Sequence, residues 1–163
     1  MATIRAADNR DIDSMAGLLR QLFAIEADFV FEAERQRRGL SLLLADPHCC
    51  LLAAEEQGQV VGMASGQVVI STAEGGPALL VEDVVVSEGW RGQGIGRALI
   101  VAMESWARSH KIFRLQLLAD RGNTQALGFY RRLGWQGTQL ICLRCYSGKD
   151  QNEQTTTSEG GKR

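Results

Sequence analysis

Between Val84 and Ile100 the chain reads VVVSEGWRGQGIGRALI: β-branched residues, then glycines at 92, 94 and 96 flanked by Arg91 and Arg97, then an apolar helical pattern. A phosphate is held best where several backbone N–H groups converge at the positive end of a helix dipole. A Cβ on the turn would block that approach, so glycine suits the position. Gly92, Gln93, Gly94, Ile95, Gly96 and Arg97 therefore form a candidate pyrophosphate cradle. Other phosphate loops fit poorly. A P-loop ends in Gly-Lys-Ser/Thr, and no lysine lies between this strand and helix. The dinucleotide fingerprint needs glycine where Arg97 stands, and it opens its sheet at the first strand, whereas earlier strand patterns precede this one. The plain alternative is a tight strand-to-helix turn that holds no ligand.

A second group of chemistry-bearing residues follows: Asn123 ahead of a short helical pattern, then Phe129-Tyr130 and Gly134-Trp135. Together the two stretches carry a resemblance. Arg91-x-x-Gly94-x-Gly96 resembles the acyl-CoA pyrophosphate motif, Q/R-x-x-G-x-G/A, of the GNAT superfamily of N-acetyltransferases. Asn123 with Phe129-Tyr130-x-x-x-Gly134-Trp135 is similar to that family's second motif block. In element order the resemblance spans Thr3 to Tyr146, and its motifs are strongest from Val81 to Trp135.

The resemblance implies an α/β GNAT acyl-CoA N-acyltransferase fold, a central mixed sheet flanked by helices, with acetyl-CoA as cosubstrate and no metal. It places the pantetheine arm along the backbone of Val84, Val85 and Val86, and the pyrophosphate on the N–H groups from Gly92 to Arg97 beside Arg91. It makes Asn123 a coenzyme A contact and Tyr130 the phenol that stabilises or protonates the departing thiolate. Both residues also have plain structural readings, Asn123 as a helix N-cap and Tyr130 as a core ring beside Phe129.

An alkylammonium, with a pKa near ~10, must lose a proton before it can attack a thioester. Glu82 and Asp83 lie on the strand leading to the glycine turn and are the candidate bases, with Glu82 preferred. On a regular strand they face opposite sides, so one of them reaches the site. VEDVVV is similar to strands of sugar-amine members of the superfamily, where the acidic pair faces the active centre. Members that acetylate protein N-termini often carry a glutamate five residues before the motif asparagine; here that position is Leu118. No cysteine falls in either motif block, which favours direct attack in a ternary complex over a covalent route.

The acceptor side of the fold corresponds to residues 23–38 and 71–77. The first holds Glu26, Asp28, Glu32 and Glu34 among Phe23, Phe29 and Phe31, a composition suited to a cationic amine. The expected activity is transfer of an acetyl group to a primary amine of a small molecule. Protein lysine or N-terminal acetylation, and a non-catalytic acyl-CoA-binding module, are the alternatives.

The elements that must position these residues are legible from periodicity. Thr3 to Ala6 reads as a strand, and Asp8 and Asn9 precede a helical face of Ile12, Met15, Leu18 or Leu19, Leu22 and Phe23. A second helix is expected over Glu32 to Leu44, ended by Asp46-Pro47. HCCLLAAEE and VVGMASGQVVIST read as a hairpin joined at Gln57-Gly58, and ALLVEDVVV as the next strand. After the glycine turn come a helix through Trp106, a strand FRLQLLA, a short helix closed by Gly134, and one or two strands from WQGTQLICLRCY. The sheet is expected to begin antiparallel and turn parallel at the glycine crossover.

With 163 residues the chain is expected to form one domain over 1–146, followed by a disordered polar tail over 147–163. A net charge of −1 gives no global pull toward nucleic acid or membrane, and no apolar run approaches the roughly 20 residues of a membrane span. Its polar N-terminus suggests a cytoplasmic protein. Cys49 and Cys50 point to opposite faces of a strand, and CLRC (Cys142, Cys145) lies away from any helix N-terminus, so the cysteines read as plain thiols rather than a metal or redox site. A strand edge near the C-terminus is available to pair across a homodimer.

Overall fold

The computed structural model describes residues 1–26 and 28–147. β1 (Thr3–Ala6) is followed by a 3-10 turn over Asn9–Asp11 and then α1 (Ile12–Phe23). The entry is a reciprocal capping box: Asp8 Oδ1 accepts the Arg10 N–H at 2.8 Å, while the Asp8 N–H donates to Asp11 Oδ2 at 2.8 Å. Asp11 is buried, and Arg5 supports it with two hydrogen bonds of 2.7 and 2.9 Å. α2 (Ala33–Ala45), capped by Glu32 and Asp46, lies one residue from the expected bounds at each end.

β2 (Cys49–Glu56) and β3 (Gln59–Ser71) form the expected hairpin. Gln57 and Gly58 both have positive φ, 53° and 75°, the two-residue turn whose twist matches that of paired strands. β4 (Gly76–Val86) runs antiparallel to β3, and after α3 (Ile95–Ser109) the chain returns as β5 (Leu115–Leu117), parallel to β4. The sheet order is β1-β2-β3-β4-β5, antiparallel until the final parallel pair. α4 (Thr124–Arg132) follows, closed by Gly134 at φ 88°. No helix among the described residues is long and apolar enough to cross a membrane.

Strand alternation divides the core into two layers. Leu52, Ala54, Val61, Leu79 and Val81 pack with Leu99, Met103 and Ala107 of α3. Leu51, Ala53, Met63 and Val85 pack on the other face with Met15, Leu19 and Leu40 of α1 and α2.

One irregularity governs the centre of the sheet. Ala64 pairs with Val84 and Gly66 with Val81, so Ser65 alone stands opposite Glu82 and Asp83. The extra residue is a β-bulge on β4, and it inverts the alternation. Leu79 and Val81 before the bulge, and Val84 and Val86 after it, all belong to the α3 layer, while Val85 belongs to the other. The sequence expectation of a regular strand through VEDVVV is corrected here.

The C-terminal region differs from expectation as well. The strand expected over FRLQLLA is only Leu115–Leu117, and residues 133–147 contain no strand. Trp135 still packs on the α3 layer, but Leu140, Ile141 and Leu143 beyond it are exposed, so the apolar pattern that suggested strands meets no second layer. Of the expected tail, residues 148–163 lie outside the described residues. Cys49, Cys50, Cys142 and Cys145 are free; burial pushes the Cys50 thiol up to about 12, as expected of an inert core thiol.

Candidate active site

The glycine turn is built differently from a direct strand-to-helix junction. A 3-10 turn over Glu88–Trp90 follows β4, and only then do Gly92 (φ 76°) and Gly94 (φ 81°) take the left-handed conformation that reverses the chain into α3. Both positions need glycine for that φ, and a Cβ at either would stand in open space. Gly96 has another role: a Cβ there would meet the Phe129 ring at 3.4 Å, so its bareness lets α3 pack against α4.

Among the described residues, none of the N–H groups from Gly92 to Arg97 has a protein acceptor; the ladder of α3 begins with the Ala98 N–H donating to the Gly94 carbonyl at 3.0 Å. Six successive N–H groups without a protein acceptor thus lie at the positive end of a helix of 15 residues. Arg97 is exposed beside them. Arg91 is exposed too, but its Nε donates to the Val86 carbonyl at 3.0 Å, tying the turn to the end of β4.

Upstream, β4 offers a second backbone feature. Its parallel pairing with β5 covers only Leu79–Val81 against Leu115–Leu117, whereas β4 continues to Val86. On the other edge Val84, Val85 and Val86 pair with Ala64, Met63 and Gly62. The Ser87 N–H donates to the Val61 carbonyl at 2.8 Å, so by strand alternation Val85 turns its backbone groups toward β3, while Val84 and Val86 turn theirs to the β5 side where no strand answers them, an edge that an extended ligand can join.

The bulge separates the two acids. Glu82 is exposed and accepts a hydrogen bond from Gln67 Nε2 at 2.9 Å. Asp83 is largely sequestered against Ser65, which is fully buried: the Asp83 N–H donates to Ser65 Oγ at 3.1 Å, and the Ser65 hydroxyl donates to Asp83 Oδ2 at 3.3 Å. Burial, followed by the charge of Glu82, pushes the Asp83 carboxyl up to about 7; Glu26 adds to this and Ser65 opposes it. A carboxylate so placed ionises near neutrality and is a far stronger base than an ordinary aspartate.

Tyr130 projects from α4, its ring edge-on to Phe129 at 5.0 Å and tilted against Trp135 at 5.6 Å. Among the described residues its hydroxyl has no protein partner, and burial, then Glu26, push it up to about 12, so it is a neutral donor. Asn123 caps α4, its Oδ1 accepting the Ala126 N–H at 3.0 Å, which leaves its amide N–H groups available to a ligand. Replacing Asn123 with alanine should cost about 1 kcal/mol in urea unfolding, and replacing it with aspartate much less, because an aspartate oxygen can still cap.

Two contributors escaped the sequence reading. Ser65 looks like one more small strand residue; its pairing with Asp83 depends on the bulge, for which VEDVVV carries no marker. Glu26 was legible only as one of several acids. It lies on the turn after α1, and its charge reaches both Asp83 and Tyr130. Of the remaining sequence-predicted acids, Asp28 is exposed, and Glu32 and Glu34 are exposed and paired with Arg35 and Arg37.

Comparison with known proteins gives a consistent result. The sequence model of the Acetyltransferase (GNAT) family matches residues 16–135. The chain is 27% identical over 143 residues to the aminoglycoside N(6')-acetyltransferase type 1 of Stenotrophomonas maltophilia, covering 85% of this chain and 89% of that protein. It is 29% identical over 133 residues to the aminoalkylphosphonate N-acetyltransferase of Salmonella typhimurium, covering 82% and 84% respectively. Its fold superposes with a TM-score of 0.75 on the structure of a predicted acetyltransferase from Clostridium acetobutylicum with acetyl-CoA, over 88% of this chain and 96% of that one at 20% identity.

Proposed function

The chain belongs to the GNAT acetyltransferase family, and from that premise we propose that it transfers the acetyl group of acetyl-CoA to a primary amine of a small molecule by direct attack in a ternary complex. The observation that supports this best is the sequestered Asp83, ionising near neutrality, on the strand that leads to six unpaired N–H groups. The named activities of the two curated relatives, on an aminoglycoside and an aminoalkylphosphonate, support an amine acceptor.

In this reading the pyrophosphate sits on the N–H groups of Gly92 to Arg97, and the pantetheine lies along the free edge of β4 at Val84 to Val86 as a short pseudo-strand. Asp83 takes a proton from the acceptor ammonium. The neutral nitrogen attacks the thioester carbon, and a β4 backbone N–H polarises the carbonyl oxygen. The C–S bond then breaks, the electron pair leaves on sulfur, and Tyr130 stabilises or protonates the thiolate, recovering its proton from the former amine nitrogen. One amide and one thiol form, and one proton is released.

Tyr130→Phe keeps the ring packing against Phe129 and Trp135 and removes only the hydroxyl. We expect acetyl-CoA affinity within about twofold of wild type and kcat lower by roughly 100-fold. A thiol-release assay with a panel of amines, together with calorimetry of acetyl-CoA binding, tests the whole reading. Binding with turnover on one amine class supports it. Absence of acetyl-CoA binding overturns it, and binding with no turnover on any amine points to an acyl-CoA-binding module.

A further inference from the structure

Ser65 is fully buried at the centre of the sheet, and the transfer steps above leave its hydroxyl unused. It is the one residue of β3 that stands opposite Glu82 and Asp83, clamped between the paired positions Ala64–Val84 and Gly66–Val81. The bulge takes Asp83 out of the paired register, and the Asp83 N–H donates to Ser65 Oγ at 3.1 Å.

Satisfying that N–H would be reason enough for a serine, but the hydroxyl makes a second contact. An oxygen that accepts the amide N–H still has its own proton to give. Among the described residues the acceptor it meets is Asp83 Oδ2, 3.3 Å away. Ser65 thus grips Asp83 at two points, the backbone amide and one carboxylate oxygen, and fixes how the side chain is turned.

The other oxygen is placed differently. Among the described residues Asp83 Oδ1 has no hydrogen-bond partner, and Arg114 Nε is the one side-chain N or O atom there that is both sealed from solvent and unsatisfied. Oδ1 is therefore open to solvent while Oδ2 is held.

We propose that Ser65 is a positioning residue: it holds Oδ2 and so leaves Oδ1 as the oxygen that takes the proton of the acceptor ammonium. The proposal rests on the acetyl-transfer reading, with Asp83 as base, and deepens it. The proton passes from nitrogen to Oδ1, and the Ser65 O–H bond stays whole, donating to Oδ2 before and after the transfer. Because that hydrogen bond favours the ionised carboxyl, its loss raises the Asp83 pKa further. The other charges that reach Asp83, Glu82 beside it on β4 and Glu26 on the turn after α1, are the same in wild type and in a Ser65 variant.

The test pairs a carboxyl-carbon NMR titration of Asp83 with pH–rate profiles, on the full chain, for wild type, Ser65→Ala and Ser65→Cys. In Ser65→Ala the midpoint should move up by about one pH unit in both measurements. The plateau kcat should fall about 10-fold, with KM for the amine and acetyl-CoA affinity within about twofold of wild type. Ser65→Cys, a weak donor of similar size, should shift in the same direction, and it carries the comparison if the alanine variant does not fold. A midpoint that stays in place, whether or not kcat falls, would reduce Ser65 to a partner of the bulge N–H and overturn the proposal. A kinetic limb that persists in Asp83→Asn would instead show that Asp83 is not the base; the underlying reading then fails, whatever Ser65 does to the NMR midpoint.

Discussion

Asp83→Asn is expected to lower kcat roughly a thousandfold while leaving acetyl-CoA affinity nearly unchanged, because asparagine fills the same space beside Ser65 but cannot accept the ammonium proton. The wild-type pH–rate profile should identify the base. Its Asp83 carboxyl is pushed up to about 7 by burial first and then by Glu82, with Glu26 adding and Ser65 opposing. Activity should therefore rise about tenfold per pH unit below that value and level off above it. In Asp83→Asn this limb should vanish. If the limb persists, Asp83 is not the base, and Glu82→Gln is the next variant to measure.

The same substitution should stabilise the protein under alkaline conditions. A carboxyl whose pKa is raised on folding binds more protons folded than unfolded between its two pKa values, so wild-type stability falls as pH rises from about 4 to about 7. The contribution is bounded by about 4 kcal/mol, and relaxation around the charge makes about 2 kcal/mol the working expectation. Urea unfolding should then show Asp83→Asn more stable than wild type near pH ~8 and equal to it near pH ~4. A gain in stability with a loss of activity is the signature of a residue held in a costly ionisation state for function.

Gly94→Trp is expected to weaken acetyl-CoA binding by at least about 100-fold. The residue sits at φ 81° at the start of α3, where a Cβ would project into open space rather than into the core. An indole there would occupy open space beside the unpaired N–H groups. The left-handed backbone adds a strain of about 1–2 kcal/mol, so a lower melting temperature is expected as well. Gly94→Ala carries the same strain with a small side chain and separates the two effects. If calorimetry finds the alanine variant binding within about tenfold of wild type while tryptophan abolishes binding, occlusion is the cause. Equal losses in both would instead indicate that the turn conformation itself is what matters.

These effects are expected to be large because the proposed binding surface is mostly backbone. The N–H groups at Gly92 to Arg97 and the β4 edge at Val84 and Val86 offer donors and acceptors without any special side chain. Their chemistry is therefore recorded in the sequence only indirectly, as glycines and plain valines. That was enough to mark the turn, because positive φ at Gly92 and Gly94 is a demand that few residues other than glycine meet.

Local interactions account for the rest of what the sequence determined alone: the apolar stripes of α1 and α3, the Asp8 and Asn123 caps, the Gln57-Gly58 hairpin, and the order of elements that sets an antiparallel sheet turning parallel. Each depends on residues within a few positions of one another. The choice between Glu82 and Asp83 does not. It is made by a bulge opposite Ser65, eighteen residues upstream of Asp83, which leaves Glu82 exposed with Gln67 and sequesters Asp83. The bearing of Glu26 on Asp83 and Tyr130 likewise requires the turn after α1, β4 and α4 to meet at one end of the sheet. At the C-terminus an alternating apolar pattern predicted strands that only a neighbouring layer could have formed, and residues 133–147 meet none. Short-range pattern thus marked the glycine turn as the candidate cradle, while burial and charge, which exist only after the chain has packed, set Asp83 apart from Glu82 and Tyr130 apart from an ordinary core ring.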